Sequence, residues 1–208
     1  MTMNMSAQHI SACDADTELV VARKAGWRPV DLNWERLQER GNAHLLTDNL
    51  PAATRCFRSA GRIAFWRFAL SDPRRATSLA NLALADRLAG CETRAVRRYA
   101  RARRLWNGAD AWIEGMQVAR RARSSLFHLR METRHWDTYQ DNLRTRMRTF
   151  AAETAAALAV LEQDGTPPQR LYERWRGEKP SVFDDTRKFL AAALLVGVGK
   201  KHPSDLNS

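Results

Sequence analysis

Turn-forming residues are scarce in this chain of 208 residues, which has only seven prolines and ten glycines. That excludes a turn-rich β architecture and favours long helices. Cysteine is rarer still. Cys13, Cys56 and Cys91 are odd in number and far apart, so they form neither a disulfide framework nor a zinc spacing. Their usage fits a reducing compartment. The longest apolar run, Phe189 to Gly199, falls short of the roughly 20 residues needed to cross a bilayer. The N-terminus lacks a basic region followed by an apolar stretch, so no signal peptide is expected. The expectation is a cytoplasmic protein with no transmembrane segment. Lysine is also sparse: of 34 basic residues only five are lysine.

The chain does carry positive charge and helical periodicity. Formal net charge is +11, and residues 94–148 hold 14 arginines against five acids. A focused positive field of this kind attracts acidic proteins, nucleic acid or anionic lipid. Hydrophobic residues make up 44%, enough for a sizeable core. Residues 1–30 show no sustained periodicity and read as a flexible or loosely docked arm. Asp31 is a good N-cap for a first helix, 32–46. Pro51 suits the first turn of a second helix, whose Ala53, Phe57, Ala60, Ala64 and Phe68 form one apolar stripe. A third helix spans about 73–89 and a fourth about 92–106, with Gly90 between them and Asn107-Gly108 after them. Two further helices are expected at 109–131 and 138–162. After Gly165-Thr166-Pro167-Pro168 the sequence predicts a short helix at 169–175 and a last one capped by Ser181 and Asp184. Residues 31–162 thus form the main domain, 167–199 cap its exposed end, and 200–208 read as a disordered tail.

The helix pairs repeat. A shift of 42 residues places Leu37 on Leu79, Gly41 on Ala83, Ala53 on Ala95, Phe57 on Tyr99 and Ala60 on Ala102. Small residues recur where helices approach closely, and aromatics recur where a gap is filled. A helix pair cannot bury its apolar face alone, which is the physical reason to stack like pairs. Over residues 34–106 the pattern resembles the tetratricopeptide repeat family, with a small residue late in the first helix and small, aromatic and small residues down the second. The period of 42 exceeds the 34 usual in that family.

The resemblance implies an all-α array of antiparallel helix pairs with C-terminal capping helices. It also implies a partner-binding groove lined by the first helix of each pair. Glu35, Gln38, Asn42, Leu45 and Leu46 would line it from the first copy; Asn81, Leu84, Arg87 and Leu88 from the second. Some members grip a terminal carboxylate with lysine, asparagine, asparagine and further basic residues. Asn42 and Asn81 fall on the two asparagine positions, Gln38 replaces the lysine, and Arg123 extends the register.

Beside the groove, Arg94, Arg97, Arg98, Arg101, Arg120 and Arg123 form an expected basic patch. Residues 85–104 also admit a helix-turn-helix reading, with Gly90 as the turn, Val96 and Tyr99 buried, and Arg94, Arg97, Arg98 and Arg101 on a recognition helix. Against it, Asp86 falls where close packing needs a small residue. Gly197-Val198-Gly199-Lys200 lacks the rest of a phosphate loop, and its glycines read as the end of the last helix. His128, Glu132, His135 and Asp137 do not supply a convergent ligand set, and Met1, Met3, Met5, His9 and Cys13 read as an unstructured start. No catalytic motif stands out. The expectation is a non-catalytic scaffold, adaptor or assembly factor without cofactor or metal, bound to an acidic protein partner. Nucleic acid, a helical metalloenzyme and self-association remain alternatives.

Overall fold

Prolines open three of the helices in the computed structural model, which describes residues 12–118, 136–163 and 182–197. All secondary structure among these residues is α-helical: α1 (Ala12–Lys24), α2 (Pro29–Leu46), α3 (Leu50–Arg67), α4 (Pro73–Leu88), α5 (Glu92–Asn107), α6 (Asp110–Glu114), α7 (Trp136–Glu162) and α8 (Asp185–Leu194). Pro29, Pro51 and Pro73 occupy first-turn positions, where the missing N–H costs nothing. Side chains cap three of the starts. Asn49 accepts from the N–H of Ala52, Asp72 from that of Arg74 and Asp184 from that of Arg187.

Consecutive helices pack as antiparallel neighbours: α2 on α3, α3 on α4 and α4 on α5. The residues aligned by the 42-residue shift are equally buried, since Ala53, Phe57 and Ala60 in α3 and Ala95, Tyr99 and Ala102 in α5 are all wholly inaccessible. Gly41 explains the small residue late in α2. A Cβ there would lie 2.3 Å from Cε1 of Phe57, so the ring fills the space a side chain would need. Helix α7 closes the far side of α5, and α8 lies against α4 and α7.

Several boundaries differ from the sequence expectation. The arm expected at 1–30 contains α1, and Ala22 and Trp27 are buried with Leu32 and Phe183. Asp31 is not the N-cap of α2. Arg28 holds that place, Pro29 starts the helix, and the Asp31 carboxylate accepts from the Arg28 backbone N–H at 2.9 Å. The helix expected at 109–131 is the short α6, which stops at Gly115; residues 119–131 lie outside the described set. The helix expected at 169–175 also lies outside it, as do Ser181, His128, Glu132, His135 and the segments 1–11 and 198–208.

A buried ion cluster locks the two helix pairs together. Arg74, at the start of α4, donates to Asp31 of α2 at 2.6 Å and to Asp72 at 2.6 Å. Its guanidinium lies 3.6 Å from the centroid of Phe68. A desolvated cation is costly unless paired, and here two carboxylates and a ring face surround it. Neighbouring arginines satisfy the carbonyls that end α3: Arg75 donates to the Phe65 and Phe68 oxygens and Arg28 to that of Arg67. Cations at a helix C-terminus also suit its dipole.

Burial opposes ionisation of Asp31, but the Arg74 charge and the hydrogen bonds from Arg74 and Arg28 outweigh it and hold the carboxyl below its usual value. A depressed folded-state pKa stabilises the fold above the unfolded value, about pH 4, and that contribution is lost as pH falls through the folded value. Urea midpoints measured from neutral to acid pH should therefore fall less steeply for Asp31→Asn than for the wild type; an unchanged acid limb would remove Asp31 from the account. Gly41→Ala should cost about 1–3 kcal/mol by overpacking Phe57, a fall of roughly 2–12 °C in Tm for a chain of this size, readable by thermal denaturation.

Candidate functional site

The helix positions expected to line a binding groove do converge, but the chain fills that groove itself. Thr77 and Asn81 of α4 and Asn42 of α2 meet the end of α8. The Thr77 hydroxyl donates to the Ala192 carbonyl at 2.6 Å. Asn42 and Asn81 both donate to the Leu195 carbonyl, at 3.1 and 2.9 Å, and the Gly197 N–H donates to Oδ1 of Asn81 at 2.6 Å. The Asn81 amide also donates to Gln38, whose own amide donates to Ser78. Gln38, Thr77, Ser78 and Asn81 are buried and paired, as a low-dielectric site demands, whereas Asn42 is half-buried and its Oδ1 has no hydrogen-bond partner among the described residues.

The remaining groove residues are also engaged. Glu35 pairs with Arg187 of α8 at 3.1 Å, and that guanidinium sits 4.2 Å from the Phe183 ring centroid. Leu84 is buried beside Gly197. Leu45 is half-buried against the core. Arg87 reaches Glu92 at 2.7 Å and the Leu161 carbonyl. Leu46 and Leu88 alone stay well exposed. Of the expected partner-binding groove, Glu35, Asn42, Asn81 and Leu84 thus face α8 and the residues after it within the same chain, with Gln38 buried behind Asn81. Gly197 is part of this seat of α8: the helix ends at Leu194, and a Cβ on Gly197 would lie 3.0 Å from both Asn42 and Leu84. The glycine is needed for close approach rather than for ending the helix.

The expected basic patch is partly neutralised. Asp86 shares its carboxylate between Arg94, at 2.8 Å, and Arg98. Arg97 and Arg101 are exposed on α5, while Arg120 and Arg123 lie outside the described residues. Asp86 thus answers the packing objection at its position by pairing rather than by being small. Two of the four arginines of a recognition helix are tied to it, and Tyr99 is buried between helices, where desolvation pushes its phenol above the usual range.

The open site lies on the other side of α4. At about 100° per residue, Thr77, Asn81 and Leu84 share one side of this helix, and Arg75, Leu79 and Leu82 share the opposite side. There α3 and α5 flank a cleft of about 720 Å³. Leu79, Leu82, Leu105 and Ala64 form its apolar floor. Arg55, Arg58, Arg62, Arg75, Arg98 and Arg101 rim it, and no carboxylate lines it. At one end stand Phe65, Trp66 and Leu70, exposed at 55%, 76% and 76%. Trp66 also walls a second hollow, with Arg62, Arg67, Val30 and Leu19. The apolar stripe of α3 marked Ala64 and Phe68 as core but gave no sign that Phe65 and Trp66 face water. A run Arg62–Arg67 with two adjacent aromatics was the available signal.

Among the described residues no three His, Cys, Asp or Glu side chains gather as metal ligands, and no helix is long and apolar enough to cross a membrane. The sequence matches no family model and no curated protein, and the fold matches no solved structure.

The seat of α8 can be tested directly. Asn81→Ala strands the Gly197 N–H and one Gln38 oxygen, at a cost of about 1–3 kcal/mol. Amide hydrogen exchange should accelerate first in residues 185–197; uniform acceleration along the chain would instead place Asn81 in the general core.

Proposed function

We propose that this protein is a non-catalytic helical scaffold or adaptor that binds a protein partner with an acidic surface through the cleft between α3 and α5. The observation that carries this reading is the lining of the cleft: an apolar floor beneath six arginines, with no acid among the lining residues. An arginine rim supplies orientation and association rate, while the floor supplies burial. The equal burial of the positions aligned by the repeat supports assigning the chain to a long variant of the tetratricopeptide-like array. The half-buried free thiols of Cys56 and Cys91 suit a reducing, cytoplasmic setting.

One observation favours a second reading. Phe65 and Trp66 are exposed aromatics flanked by arginines, the combination that single-stranded nucleic acid uses for stacking and phosphate contact. A gel shift with mixed-sequence RNA at physiological salt separates the two.

For the protein-partner reading, Arg58→Glu with Arg62→Glu should weaken the complex by at least about tenfold, mainly through slower association. The wild-type complex should also loosen as salt rises above about 150 mM. Surface plasmon resonance on the captured partner measures both, and a complex indifferent to charge reversal and to salt would rule out a role for the rim.

A further inference from the structure

The rim arginines are arranged as two facing rows. On α3, Arg55, Arg58 and Arg62 are spaced three and four residues apart, so they run along one face of the helix. On α5, Arg98 and Arg101 are spaced three apart, and Leu105 continues the line. Helices α3 and α5 both pack on α4, so the gap between the rows runs along the helices and has leucines at its base. Asp86 offsets one guanidinium of the α5 row and fixes Arg98, which also donates to the Leu82 carbonyl at 3.3 Å. Arg55, Arg58 and Arg101 line the cleft, and no carboxylate lies among its lining residues.

We infer that the cleft seats an amphipathic helix of the partner, with its apolar stripe on Leu79, Leu82 and Leu105 and aspartates or glutamates on both flanks of that stripe. The inference rests on the scaffold reading and specifies its ligand. Charge complementarity selects the occupant: two cationic rows astride an apolar floor match an apolar stripe bordered by acids on each side, which is how a helix lies in a groove. Nucleic acid fits less well. The Phe65 and Trp66 rings meet edge to face at 4.9 Å and 87°, and Arg75 covers Phe65 at 5.3 Å, so the pair offers no two parallel platforms for successive bases. A bilayer would meet Trp66 and Leu70 at the corner and leave the floor between the rows uncovered.

The intact chain can be titrated with a synthetic peptide of about five helical turns, carrying leucines at helical spacing and glutamates on both flanks. Controls are a peptide of identical composition with leucines at alternate positions, a version with glutamine for glutamate, oligouridylate, and vesicles of equimolar phosphatidylglycerol and phosphatidylcholine. The helical peptide should bind at about 100 mM salt and gain helical circular dichroism. The tryptophan emission should shift to the blue, and Trp66→Phe should abolish that shift. Binding should weaken at least about tenfold with the glutamine peptide, and equally with the triple variant Arg58→Gln, Arg62→Gln, Arg101→Gln, whose own circular dichroism and Tm stay native. Equal binding by the alternating peptide overturns the helical occupant, as does tighter binding of oligouridylate or vesicles. If all peptides fail while the wild type retains a protein from its own cells that the triple variant loses, the helix is wrong and the scaffold reading stands. If the triple variant retains every partner of the wild type, both fall.

Discussion

Arg74 is the joint on which the arrangement turns. It is buried, yet it carries a full charge that burial disfavours and that Asp72 and Asp31 hold in place. Because those two carboxylates belong to different helix pairs, the cation can be satisfied only when α2 and the start of α4 stand in one relative position. Phe68, under the guanidinium, ends α3 at the same point. The corner that carries Phe65, Trp66 and Leu70 is thereby fixed from inside.

Helix α4 has two faces with opposite fates. One carries a row of short polar side chains, Thr77, Ser78 and Asn81, that hydrogen-bond to other parts of the chain. The other carries leucines and meets water beneath arginines. A helix of this kind reads as weakly amphipathic because its polar face is the buried one. The physical reason is that the end of α8 reaches the groove with the Ala192 and Leu195 carbonyls and the Gly197 N–H, which need partners. Asn42, Thr77 and Asn81 provide them, so polarity on this face is a packing requirement.

The helices and their pairing were largely legible in the sequence. The recurrence of Gly41, Ala53, Phe57 and Ala60 at 42 residues reflects close approach and gap filling, which leave a strong local signature. Asn42 and Asn81 were singled out as residues that would grip a partner's carboxylate, and they donate instead to the Leu195 carbonyl of their own chain. Their ligand was not legible, because it lies 153 and 114 residues away and its own sequence is an ordinary apolar helix. Among the described residues before α2, Ala22 and Trp27 are the buried hydrophobic ones, and two anchors make no periodicity. Trp66 was missed for the opposite reason: it lies beside an apolar stripe without belonging to it.

The seat of α8 also orders the events of folding. Pairs α2–α3 and α4–α5 close over short loops, so their entropy cost is met almost as soon as they are synthesised. The contacts of Asn42, Thr77 and Asn81 must wait until residue 197 has been made. The architecture is thus a local array completed by a long-range closure, in which Gly197 packs against Asn42 and Asn81.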